Sequence, residues 1–117
     1  MSYRKGLHII AEFTTLESAG LSDFTAFKAL VENAISRYGL TKVGEVYHNF
    51  PGGGFTAVVC LTESHLSIHT WPESGMATFD VFLSNYLRDN EHTCRSLFKD
   101  VSEFYAPVTI NKTELRR

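Results

Sequence analysis

Chemistry in this chain concentrates between Thr62 and Glu73, where the sequence reads Thr-Glu-Ser-His-Leu-Ser-Ile-His-Thr-Trp-Pro-Glu. Two histidines, two carboxylates and a run of hydroxyls stand beside the only tryptophan. A half-buried strand normally alternates apolar and polar residues with far fewer titratable groups, so the stretch reads as a reaction centre. Glu63, Ser64, His65, His69 and Glu73 offer it a nucleophile, bases and acids. A shared metal ion is a poor fit, because His65 and His69 share one side of an extended segment but lie about 13 Å apart along it. A Ser-His-Asp hydrolase is a poor fit as well, since Ser64 is not presented on a Gly-x-Ser-x-Gly elbow between strand and helix. Taken singly, each histidine reads as a hydrogen-bonded structural residue. Only the combination points to catalysis.

The elements that must position these groups follow from periodicity. Leu7, Ile9, Ala11 and Phe13 alternate with His8, Ile10 and Glu12, which predicts a strand over 6–13. A polar connection, 14–21, leads to Ser22 as an N-cap and to Phe24, Phe27, Leu30, Val31, Ala34, Ile35 and Tyr38 at helical spacing, with Gly39 as the stop. A strand over 41–50 is expected to pack through Val43, Val46 and Tyr47. Pro51-Gly52-Gly53-Gly54 reads as a hairpin turn; it lacks the Gly-Lys-Ser/Thr ending of a phosphate loop and no helix follows it. Strands over 55–61, 64–70 and 76–83 follow, with Glu63 lining a cleft just before the second and a turn at 72–75. After a polar loop, Asn90 or His92 starts a second helix carrying Cys94, Leu97, Phe98, Val101 and Phe104. A short strand, 107–110, and a polar tail, 111–117, end the chain. This order predicts an α+β fold, an antiparallel β-sheet with two helices packed on one face. The uncovered face, with aromatics to spare, suits a second copy of the chain.

Composition narrows the classes. A chain of 117 residues with 44% hydrophobic content predicts one domain over 1–117 with a sufficient core. The net charge of −2 gives no electrostatic case for nucleic acid or an anionic membrane. Cys60 and Cys94 are too few for a disulfide framework or a zinc cluster and read as reduced, packed residues. The first apolar run is short and broken by His8 and Glu12, and no segment reaches the length of a membrane span. A soluble, cytoplasmic protein is the expectation.

The run Glu63 to Glu73 followed by Asp80-Val81-Phe82 resembles the prokaryotic S-adenosylmethionine decarboxylases, small self-processing pyruvoyl enzymes. The likeness extends to Ala11-Glu12-Phe13, to His48-Asn49-Phe50-Pro51 and to the whole of 58–82, and fades after Ser84. It implies the following chemistry. Ser64 Oγ attacks the carbonyl carbon of Glu63, its cleavage partner, and the resulting ester leaves by β-elimination. A pyruvoyl group then caps a new α chain, 64–117, separated from a 1–63 β chain. Planar amides resist such attack, so the bond requires local strain and donors aimed at the developing oxyanion. The resemblance assigns His69 to processing, with Thr56 supporting it where the family has serine. The pyruvoyl cofactor, derived from Ser64, forms a Schiff base with the substrate amine and draws off the electrons left when CO2 departs. Glu12 and Glu73 match acidic residues of the substrate cleft, and Phe50 an aromatic that stacks on adenine. A homodimer of cleaved chains, with S-adenosylmethionine as substrate for spermidine biosynthesis and no metal, is implied.

The sequence departs from the family pattern where it matters. A cysteine two residues after the Asp-Val-Phe phenylalanine serves the family as proton donor; here that position is Ser84. A thiol of ordinary pKa near 8.5 is a far better acid near neutrality than an alcohol. Ser74 and Met76 stand where tyrosine is common. Two alternatives therefore stay open: a related decarboxylase of arginine or ornithine, or a poorly processed, non-catalytic relative.

Overall fold

The computed structural model describes residues 3–117. Alternating apolar residues build its sheet. β1 (Leu7–Thr14), β3 (Phe55–Leu61), β4 (Ser64–Trp71) and β5 (Met76–Leu83) bury alternate side chains on one face. Together with β2 (Lys42–Asn49) and β6 (Thr109–Arg116) they form one antiparallel sheet in the order β2-β3-β4-β5-β1-β6. Register lines the core up in rows: Val59, Leu66, Val81 and Ile9 across four strands, then Ala57, Ile68, Phe79 and Ala11. Every one of these eight side chains is at most 4% exposed.

Helices cover that face. α2 (Thr25–Arg37) buries Phe27, Val31, Ala34 and Ile35, and α3 (Glu91–Tyr105) buries Cys94, Leu97, Phe98, Val101 and Tyr105, each set one stripe at helical spacing. Burial of each large apolar side chain contributes about 1.5–3 kcal/mol, so these two stripes fix both helices to the sheet. Gly39, at φ 64°, ends α2 in the left-handed conformation that glycine takes without strain. The Cys94 thiol, pushed up to about 11 by burial, donates to the Leu7 carbonyl and is a packed residue. Among the described residues no helix is long and apolar enough to cross a membrane.

The α+β architecture is the expected one, with five differences in detail. A third, short helix, α1 (Ser18–Ser22), occupies the connection read as polar loop. Ser22 belongs to it, bonding back to the Ser18 carbonyl, and α2 starts instead from Phe24, with the Thr25 N–H donating to the carboxylate of the preceding Asp23 at 2.8 Å. In β2 only Tyr47 packs, against Phe24 and Phe27. Val43 and Val46 are each 64% exposed, because β2 is an edge strand with a register shift between Lys42 and Gly44. Cys60 is exposed, on the opposite side of β3 from the core. Finally, the polar tail is a strand: β6 runs to Arg116 along β1, and Gly6 and Arg117 exchange both backbone hydrogen bonds beyond it.

Candidate active site

The bond between Glu63 and Ser64 sits in a tight connection. Leu61 of β3 pairs with Ser64 of β4, leaving only Thr62 and Glu63 to turn the chain. Such two-residue hairpins relieve their strain with glycine or asparagine at positive φ. Here Ser64 carries a φ of 128°, a conformation that L side chains rarely adopt. The Glu63 carbonyl accepts the backbone N–H of Ser84 at 2.8 Å. Strain and a fixed donor on the carbonyl oxygen therefore meet at one peptide bond, the two requirements for attack on an amide.

Glu63 does not line a cleft. Its side chain is 8% exposed and turns toward the loop between β5 and α3, where the Arg88 guanidinium reaches both oxygens, Nη2 at 3.2 Å and Nε at 3.3 Å. Asn90 Nδ2 donates to the same carboxylate. A buried carboxylate without such partners would be expelled or neutralised. Arg88 is itself braced against the carbonyls of Tyr38 and Gly39 at the end of α2.

A second group of candidate residues gathers at the other end of β4. Phe50, Thr56, His69 and Glu73 line a cleft of about 480 Å3 together with Pro51, Gly53, Thr70 and Trp71. Cross-strand pairing of Thr56 with His69 brings the threonine hydroxyl to 2.5 Å from His69 Nδ1, which fixes the ring's orientation. The glycine turn folds against this wall. A side chain at Gly54, φ 94°, would meet Pro72 and the Thr70 carbonyl at 3.2 Å. Phe50 is 46% exposed with its ring against His48, so it is free to stack on a planar ligand. Glu12 is exposed in the same cross-strand row, next to Thr78 and thus about 10 Å from His69.

The two groups are separate within one chain. Five residues of extended strand put Ser64 roughly 16 Å from His69, beyond the reach of a histidine side chain. Between them, on the open face, lies a cluster that the sequence reading missed. His8 Nε2 is 2.8 Å and His65 Nε2 3.4 Å from Asp80 Oδ2, and Ser67 donates to the other oxygen. Arg117 donates to His8 Nδ1 at 3.2 Å, so that ring carries its proton on Nε2 and gives it to Asp80. Burial alone would raise Asp80, but the bonds from Ser67 and His8 outweigh it and hold the carboxyl below its ordinary range. Three ligand-type atoms converge here within 4.8 Å, yet the guanidinium already in place opposes a second cation. No sequence signal marks this cluster, because its members come from β1, β4, β5 and the chain end.

Comparison with known proteins fits this geometry. The family model described as S-adenosylmethionine decarboxylase matches residues 7–117. A curated S-adenosylmethionine decarboxylase proenzyme of Picrophilus torridus is 39% identical over 117 residues, covering 100% of this chain and 87% of its own. One of Thermoplasma volcanium is 42% identical over 112 residues, 96% of this chain and 83% of the relative. The match to the Aquifex aeolicus proenzyme, 42% identical over 82 residues, takes in 70% of this chain and 61% of that one. The crystal structure of the adenosylmethionine decarboxylase from Aquifex aeolicus superposes with a TM-score of 0.86 at 31% identity, covering 99% of this chain and 92% of that chain. The chain belongs to the S-adenosylmethionine decarboxylase family.

Proposed function

We propose that this protein is a self-processing, pyruvoyl-dependent decarboxylase of S-adenosylmethionine, cut between Glu63 and Ser64 into a 1–63 β chain and a 64–117 α chain. One observation carries the reading: a non-glycine residue at φ 128° whose preceding carbonyl is held by the Ser84 N–H at 2.8 Å. In the first step the Ser64 Oγ–C bond forms, the C–N bond of the peptide breaks, and the hydroxyl proton passes to the nitrogen. The Ser84 N–H steadies the oxyanion between these events. A base then takes the Ser64 α-proton, and the 1–63 chain leaves as a carboxylate. Water replaces the nitrogen of the resulting dehydroalanine, releasing ammonia and leaving the pyruvoyl group.

His69, oriented by Thr56, is the base this reading assigns, and it cannot reach Ser64 of its own chain. A second copy must therefore bring its Thr56–His69 end to the first copy's Ser64, which makes a homodimer part of the mechanism. The open sheet face supports that arrangement, since Ile10, Val58 and Leu115, which register places on it, are each 39–43% exposed. Stacking the two open faces would remove these side chains from water. Ser64 begins β4 at the opposite end of the sheet from the cleft that holds His69, where a carbonyl formed from it would meet substrate held by Phe50, Glu12 and Glu73 of the second copy. When present, the pyruvoyl group supplies an electrophile for a substrate amine and a sink for the electron pair freed by CO2 loss.

Denaturing mass spectrometry decides the first half of the proposal. Two fragments divided between Glu63 and Ser64 are expected, and Ser64→Ala should abolish both cleavage and activity. A single intact chain, with hydrazine reagents finding no carbonyl, would refute the proposal. Release of CO2 from S-adenosylmethionine, arginine and ornithine in parallel decides the substrate, and turnover of an amino acid in place of S-adenosylmethionine would overturn that part alone.

A further inference from the structure

We infer that Arg88 and Asn90 are positioning residues for self-cleavage, holding the Glu63 side of the bond so that the strain at Ser64 cannot relax. The inference rests on the cleavage proposed above and extends it to Arg88 and Asn90, which none of the candidate chemistry required.

The contacts form a closed ring. The Ser84 N–H holds the Glu63 carbonyl, Asn90 Nδ2 donates to the Ser84 carbonyl at 2.9 Å, and the same nitrogen donates to the Glu63 carboxylate. Arg88 grips that carboxylate by both oxygens and is anchored on α2. Glu63 is thus fixed at its carbonyl and at the tip of its side chain, by residues 21 to 27 positions later in sequence. A two-residue turn fixed so firmly on one side leaves only Ser64 to absorb the mismatch, which is where the positive φ is found.

Asn90 adds an independent sign. It is 0% exposed, and its side-chain oxygen has no hydrogen-bond partner. Burying an unpaired acceptor is unfavourable, and such groups call for an explanation other than stability. A residue retained at that expense for the two bonds its nitrogen donates is explained by what those bonds hold, the carboxylate and the strand end on either side of the scissile carbonyl. The alternative, an ordinary strut between the loop and α2, would need Arg88 but not the Asn90 amide.

The test uses the full chain and follows cleavage by mass spectrometry from synthesis onward. Arg88→Met, which keeps the aliphatic stem, and Asn90→Ala should each slow cleavage at least tenfold, and Arg88→Lys should recover part of the rate. A strut alone would also slow a destabilised chain, so a second measurement is needed. Glycine tolerates φ 128° and alanine does not, so the uncuttable chains Ser64→Gly and Ser64→Ala should differ in melting temperature. That gap should shrink by half or more when Arg88→Met is added to both, because a released turn no longer forces the conformation. Cleavage of Arg88→Met and Asn90→Ala at the wild-type rate, or an unchanged gap, would overturn the inference while leaving the proposed function intact. An uncut wild-type chain would overturn both. If Arg88→Met does not fold, the rates of Asn90→Ala and Arg88→Lys decide.

Discussion

The strain at Ser64 can be weighed without any catalysis. In the interior of a strand, glycine is less stable than alanine by about 0.5–1 kcal/mol, because it loses more backbone freedom on folding. A side chain held at a sparsely populated φ costs on the order of 1–3 kcal/mol. At residue 64, with φ 128°, the second effect outweighs the first. Ser64→Gly should therefore be more stable than Ser64→Ala by roughly 1 kcal/mol, the reverse of the ordinary order. Both chains lack the nucleophile and remain whole, so they can be compared as single species by calorimetry and urea unfolding. With an unfolding entropy of about 2.1 cal/mol/K per residue, 117 residues give about 0.25 kcal/mol/K, and the glycine chain should melt about 4 °C higher. An alanine chain as stable as the glycine chain, or more so, would refute stored strain as the origin of the bond's reactivity.

Other outcomes follow from the same geometry. Thr56→Val preserves shape but removes the hydroxyl 2.5 Å from His69 Nδ1; cleavage should slow about tenfold, within the range of lost acid–base assistance, and Thr56→Ser should restore it in the same time course. Ser84→Cys places a thiol where an alcohol stands and should raise turnover roughly tenfold or more with little change in substrate preference; no gain in CO2 release would mean that the proton arrives from elsewhere. Asp80→Asn removes a carboxylate facing His8 and His65 and should lower stability at pH 7 by about 1–2 kcal/mol in urea unfolding. Because Asp80 is held below its ordinary value of 3.8, the wild-type advantage should be complete above pH about 5 and lost as pH falls through the depressed value. A gap that persists at pH 2 would assign it to shape instead of charge.

What the sequence could reveal was whatever leaves a period. β1, β3, β4 and β5 alternate strictly enough to be read, and α2 and α3 carry apolar stripes. β6 leaves none, as all eight of its residues are exposed; it is a strand because β1 offers a free edge and because Arg95 and Glu91 on α3 pair with Glu114 and Arg116. β2 misleads for a related reason, its valines lying on a face that this chain alone does not cover. The site divides in the same way. Ser64, His69, Thr56, Phe50 and Glu73 stand out through their resemblance to a family motif, and strand register explains why four of them share a cleft. Arg88 and Asn90 were invisible, since a polar loop 25 and 27 residues past Glu63 gives no hint of the carboxylate it holds. His8 looked like one polar residue of an amphipathic strand until folding set it against Asp80.

Under the proposed assignment of His69 from a second copy as the base, the separation of Ser64 from His69 along β4 fixes the kinetic order of maturation. A bond that needs a base from another molecule cannot be cut by a chain on its own, however strained the bond. Freshly made protein would then be stable while scarce and ripen as it accumulates, with a rate expected to climb with the square of the chain's concentration until pairing saturates. Dilution of uncut chain should therefore lengthen the half-time of fragmentation, whereas a half-time independent of dilution would place both groups in a single molecule. On that proposal, abundance itself would be the trigger for making the pyruvoyl group.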